Sequence, residues 1–206
     1  MSRILVDQIR SNSASSDAIT LDGSGNLTIP GNLTCSGNAS ISGTPTGFGG
    51  GKILQVKTVE KTGAYTNGSA GTHDVTGFSV TMDAPASSSS KYFVIAMVTG
   101  QSNGGYSNCF LLNGTTTGTL TLGDASGNRA RRQSANVYNE MSGDYSPLTQ
   151  TLTYLDSPST SATQTYKVQV IVRSGTGMYV NRSVTDNNST NVGRYCSTLT
   201  VMEIGG

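Results

Sequence analysis

Charge is scarce in this chain. Only 12% of its 206 residues are Asp, Glu, Lys or Arg, about half the ~25% usual for globular proteins. The 13 basic and 12 acidic residues nearly cancel, leaving a net charge of +1. Such a balance argues against bulk DNA or RNA binding, which depends on neutralising phosphates. Tryptophan is absent and aromatics are 6% of the chain. No apolar run reaches the roughly 18 residues that a membrane-spanning helix needs, so membrane insertion is not expected. The start, MSRILVDQIR, carries charge at Arg3, Asp7 and Arg10 and has no apolar stretch, so it does not read as a secretory signal. The three cysteines, Cys35, Cys109 and Cys196, are odd in number and far apart. They form neither a disulfide framework nor a zinc site, and each reads as a small buried hydrophobe.

What is abundant is Ser, Thr, Asn and Gly, which make up 97 of the 206 residues. No window carries the 3.5 to 3.6 spacing of a helical bundle or coiled coil. Disordered chains lack runs such as Tyr92-Phe-Val-Ile-Ala-Met-Val98, so low charge does not mean disorder here. The chain reads as an all-β protein whose surface is hydroxyl and amide rather than charge.

Four regions follow from the order of these features. Residues 1–17 are a short segment with Ile4, Val6 and Ile9 alternating weakly, then a polar linker, SNSASSD. Too few to fold alone, these residues read as an anchor ordered by a partner. Residues 18–43 carry a six-residue repeat: Asn26-Leu-Thr-Ile-Pro-Gly31, Asn32-Leu-Thr-Cys-Ser-Gly37 and Asn38-Ala-Ser-Ile-Ser-Gly43, led by a degenerate Ile19-Thr-Leu21. Leu27, Ile29, Leu33, Cys35 and Ile41 fall on one face of successive three-residue strands. Three small units hold too little apolar surface for a lone chain, so a trimeric β shaft is expected. Residues 44–51, TPTGFGGG, form a glycine hinge. Although Gly51-Lys52 ends like a phosphate-binding loop, Thr46 and Ile53 stand where that loop needs Gly and a magnesium-holding hydroxyl.

Residues 52–206 are long enough for one well-buried domain. Strands are expected near 52–60, 75–82, 91–99, 107–113, 117–122, 148–155, 165–173, 177–182 and 196–204. Phe78, Val80 and Met82 alternate with polar residues, whereas Tyr92 to Val98 is apolar on both faces and reads as a central strand. Eight or nine short strands with Gly/Ser/Asn turns predict an antiparallel β-sandwich, jelly-roll-like head. Residues 123–147 show neither strand nor helix pattern. So long a connection is usually functional, and this one holds Arg129, Arg131, Arg132, Tyr138 and Tyr145. Arg supplies a bidentate fork and Tyr a flat face with a hydroxyl, which makes these candidate receptor-binding residues for an anionic or sugar group; a solvated basic loop or an inter-subunit contact is the alternative.

Catalytic patterns are weak. Gly100-Gln-Ser-Asn-Gly104 matches G-x-S-x-G, but a strand-like sequence follows it and the only histidine, His73, lies upstream. His73-Asp74 lacks a matched serine. Asp124, Glu140, Asp144 and Asp156 supply carboxylates, yet spacing singles out no pair. Asp186-Asn-Asn resembles a cation-ligating loop but lacks the Gly and Glu of an EF-hand.

Several of these segments together resemble one family. MSRILVDQIRSN, AITLDGSGNLTIPGNLT and GFGGGKILQV look like the start of small tail-fibre proteins of marine and freshwater tailed bacteriophages. LGDASGNRAR, LTYLDSPSTSATQTYKVQV, MYVNRS and STLTVMEIGG look like their head. Cys35 and the GQSNGG turn depart from the pattern. The resemblance implies a virion structural protein, located in the tail and assembled in the host cytoplasm. It implies a homotrimer held to a tail or baseplate protein by its N-terminus, with the head adsorbing to a host-surface glycan or protein. It implies no enzyme activity and no cofactor, and no residue pattern in the sequence assigns a metal site. Two further readings remain open: a capsid decoration or head-fibre protein, which uses the same shaft-and-knob plan, and a polysaccharide depolymerase, for which 155 residues of short strands leave little groove.

Overall fold

The computed structural model describes residues 7–9, 12–13, 15–17, 19–24, 26–30, 32–34, 36, 52–104, 108–135, 137 and 145–205. Of the residues singled out above, Ile4, Val6, Cys35, Ile41, Tyr138, Glu140 and Asp144 lie outside the described ones. The chain is all-β and divides into two units, residues 1–49 and 50–206.

The first unit is a three-stranded antiparallel sheet of β1 (Gln8–Ile9), β2 (Ile19–Leu21) and β3 (Leu27–Thr28), in that order. Asp22 makes the β2–β3 turn. Its Oδ1 accepts the backbone N–H groups of Ser24 (2.9 Å) and Asn26 (2.8 Å), and Oδ2 accepts the Asn26 amide at 2.7 Å. A side chain that bonds the backbone two residues on is the reason Asp favours turns. Ile19-Thr-Leu21 therefore pairs with the first hexad as a hairpin, with Leu21 opposite Leu27. Ile9 belongs to the same sheet, opposite Ile19. Little of this unit is buried: Leu27 and Leu33 are exposed and Ile29 is half-buried. Strands of two and three residues without a covered face are not stable alone in water.

Among the described residues, the second unit holds ten strands: β4 (Ile53–Lys61), β5 (Tyr65–Asn67), β6 (Gly71–Thr81), β7 (Lys91–Ser102), β8 (Cys109–Gly114), β9 (Gly118–Thr119), β10 (Leu148–Asp156), β11 (Thr165–Val172), β12 (Met178–Val180) and β13 (Ser197–Ile204). They form two antiparallel sheets. One runs β4-β13-β7-β12-β5, with β10 on the other edge of β7; the second runs β6-β11-β8-β9. β7 is the hub of the first sheet. It meets β13 along Lys91 to Met97, β12 along Gly100 to Ser102, and β10 along Tyr92 to Gly100. The expected strands are present within a few residues, and β5 is an addition.

The inward side chains of both sheets form one apolar cluster. Tyr92, Val94, Ala96 and Val98 of β7, with Leu199 and Val201 of β13, share it with Phe78 and Val80 of β6, Phe110 and Leu112 of β8, and Val168 and Val170 of β11. Burying each such side chain contributes roughly 1.5–3 kcal/mol. Gly100 leaves no room for a side chain: a Cβ there would meet the Tyr179 carbonyl of β12 at 2.5 Å and the Phe110 ring of the other sheet at 2.8 Å. Two buried carboxylates are hydrogen-bonded, Asp156 between the sheets and Glu203 within the first. Asp156 accepts the Tyr166 hydroxyl at 2.8 Å and the Thr117 hydroxyl at 2.7 Å, and the Tyr92 and Tyr166 rings lie 5.5 Å apart. Glu203 accepts Gln55 Nε2 at 2.5 Å and the Ala86 N–H at 2.9 Å.

Candidate functional site

Residues 123–137 divide into an exposed loop and an edge cover. Residues 123–132 close on themselves, with the Gly123 N–H donating to the Arg132 carbonyl at 3.1 Å. Gly127 takes φ +55°, a left-handed conformation that suits glycine at the turn. Arg129 donates its N–H to the Ser126 carbonyl (3.1 Å) and Nη1 to Ser126 Oγ (2.6 Å). Arg131 Nε donates to the Gly123 carbonyl at 2.5 Å, and Arg132 Nη1 to the Arg131 carbonyl at 2.9 Å. A guanidinium carries five donors, so Arg129 and Arg131, both exposed, hold the loop with one side-chain bond each and keep donors facing water. The three arginines thus share one loop. Tyr145 is exposed near the start of β10 and makes no hydrogen bond or ring contact with them.

The remainder of the segment seals the β8 edge. Ser134 Oγ accepts the Phe110 N–H at 2.9 Å, Gln133 Oε1 accepts the Leu112 N–H at 2.5 Å, and Val137 donates its N–H to the Asn108 carbonyl at 3.2 Å. Burial pushes the Cys109 thiol up to about 11, against the opposing pull of Arg132 and Ser134. Cys109 is therefore a buried, unreactive thiol.

A second polar surface lies at 179–194, where the sequence pattern points to Asp186-Asn-Asn188 but not to Arg182 or Arg194. Arg182 lies over the Tyr179 ring, 5.0 Å from its centroid. It donates Nη2 to the Val184 carbonyl at 2.8 Å and reaches Asp186 Oδ2 at 3.3 Å. Arg194 pairs with the other oxygen of Asp186, and this hydrogen bond, aided by the Arg182 charge, holds the carboxyl below the ordinary aspartate range. Asp186, Asn187, Asn188, Ser189, Val192 and Arg194 line a cleft of about 300 Å³. With two guanidinium groups on one carboxylate, the cleft is not built to hold a cation. Its amides, hydroxyl and Arg194 match the hydroxyl and carboxylate groups of a polar ligand. The signal in the sequence was a local concentration of charge, two arginines flanking an aspartate in a chain otherwise poor in charge.

The hydrolase-like residues serve the fold. Ser102 ends β7, is buried, and accepts Asn108 Nδ2 at 2.7 Å. His73 Nε2 bonds the Ser69 carbonyl at 2.8 Å. Asp156 is committed to Tyr166 and Thr117 inside the sandwich. No group of three His, Cys, Asp or Glu suited to a metal occurs among the described residues. No protein-family model matches the chain, and no curated protein matches it.

Proposed function

We propose that the protein is a phage tail-fibre subunit that attaches to the tail or baseplate by its N-terminal segment and adsorbs to the host surface through its C-terminal head. In this reading the first unit becomes a trimeric shaft, with Leu27, Ile29, Leu33, Cys35 and Ile41 facing the axis, and Ile4, Val6 and Ile9 meet the virion. The head is a trimer of jelly-roll-like sandwiches. The observation that supports this best is the contrast in burial along one chain. A small N-terminal unit leaves Leu27 and Leu33 exposed, while the unit after the glycine hinge has a complete core. The segments quoted above that resemble tail-fibre proteins lie in both units.

Receptor contact falls to the polar surfaces of the head, the Arg129–Arg131–Arg132 loop and the 186–194 cleft, with Tyr138 and Tyr145 of the same 123–147 connection as further candidates. Three copies raise a weak single contact by avidity, on the order of 10²–10⁴. Antibody labelling of virions of the encoding phage should decorate the tail; label on the capsid would overturn the assignment. Purified chain should bind host cells, and Ala at Arg129, Arg131 and Arg132 should weaken that binding while leaving the oligomer intact.

A further inference from the structure

The outer face of the six-stranded sheet lacks the dress of a solvent-facing surface. Strand pairing sets its side chains in rows across β10, β7, β13 and β4. The first row is Leu155, Phe93, Met202 and Val56. The second is Thr153, Ile95, Thr200 and Thr58, and the third is Thr151, Met97, Thr198 and Glu60. Opposite residues of antiparallel strands point to the same side, and the alternate residues of β7 and β13 fill the core, so all twelve positions face outward. Six are large apolar residues, five are threonine and one is charged. Val56, Met97 and Leu155 are 53%, 49% and 47% exposed. An antiparallel sheet that faces water on one side normally alternates apolar-in with polar-out, and contiguous exposed apolar patches of this kind mark interaction sites.

We propose that this face is where copies of the chain meet in the head of the oligomer; the inference rests on the fibre reading above. Three observations select a copy over a foreign partner. A face with one charge in twelve positions gives a foreign partner no electrostatic pattern to recognise, whereas an identical threonine and aliphatic surface suits it by packing alone. Four strands at ~4.8 Å and three rows of two-residue steps span about 19 Å by 20 Å, ~400 Å² in projection. Side chains standing off that plane bring the accessible area towards the ~800 Å² per partner of a specific interface. Finally, β4 is the first strand after the hinge, so copies joined through their N-terminal units hold their second units at high effective concentration, where a face of modest size suffices.

The test is hydroxyl-radical footprinting of the full-length protein, with its mass measured in the same sample. Tyr145, exposed to a similar degree and outside the strand pairs that set these rows, is the control. In an assembled sample, Met97 and Leu155 should be modified roughly tenfold more slowly than in denatured chain, as half-exposed side chains become buried ones, while Tyr145 keeps its reactivity. An assembled sample in which Met97 and Leu155 react as fast as Tyr145 would overturn this interface and leave the fibre reading standing. A monomer would overturn both.

Discussion

The two sheets of the head present opposite outer faces. On the four-stranded sheet, Asp74 of β6 accepts Lys167 Nζ at 2.8 Å and Gln169 Nε2 at 2.7 Å, both from β11. The Lys167 hydrogen bond, with Gln169 adding to it, holds the Asp74 carboxyl below its usual range. Its outward apolar residues at the β8 edge, Cys109 and Leu111, are buried, and Gln133, Ser134 and Val137 bond along that strand. Among the described residues, the outer rows of the six-stranded sheet carry one charge, Glu60, and leave Val56, Met97 and Leu155 about half exposed. The same chain therefore finishes one face for water and leaves the other unfinished. A sheet is sided by its alternation, but what lies on the second side depends on what will cover it.

Phe110→Ala should erase the difference altogether, because both faces hang on one core. The lost ring and the cavity it leaves cost about 3–5 kcal/mol, to be read as a large drop in denaturation midpoint with both sheets melting together. Gln133→Ala with Ser134→Ala should strip the cover from the finished face alone. Leaving the Phe110 and Leu112 amides without acceptors costs about 1–3 kcal/mol each. Hydrogen exchange should quicken at those two amides while the β7–β13 ladder keeps its protection.

Smaller still is the Asp74–Lys167 pair, half-exposed and worth about 0.2–1 kcal/mol after solvent screening. The folded-state pKa of Asp74 is depressed, so its contribution is present above the unfolded aspartate value near ~3.9 and fades as pH falls through the folded value. Lys167→Ala should accordingly lower stability slightly at pH 7 and flatten its decline below about pH 4. Equal stability curves for the variant and the parent across that range would show the pair to be inert. Smallest of all, Leu155→Thr should change the stability of an isolated head by within ~0.5 kcal/mol, and any larger loss that depends on protein concentration would report assembly.

Much of this contrast could be read in the sequence. The alternation of Phe78, Val80 and Met82 and of Tyr166, Val168 and Val170 gave the inward faces directly. The two-sided apolarity of Tyr92 to Val98 marked β7 as central, and it is paired on both edges. Phe93, Ile95 and Met97 lie on its outer face, where Met97 is 49% exposed. β5 escaped because Tyr65–Asn67 is three residues between turn-forming Gly, Thr and Asn, too short to show a period. The long 123–147 connection was legible as unusual but not as divided. Its edge-capping half works through Gln133 and Ser134 side chains, which leave no periodic trace. Arg182, Asp186 and Arg194 come together through pairing of Arg182 with Arg194 and side-chain geometry that spacing alone does not reveal.

On the proposed fibre reading this chain is incomplete as a monomer, both in its N-terminal unit, where Leu27 and Leu33 lie exposed, and on the outer face of the six-stranded sheet. The most direct measurement is the mass of the full-length protein by light scattering across micromolar and lower concentrations. The expected result is a particle of three times 21.3 kDa that persists on dilution. A soluble, folded species of 21.3 kDa at every concentration would contradict it.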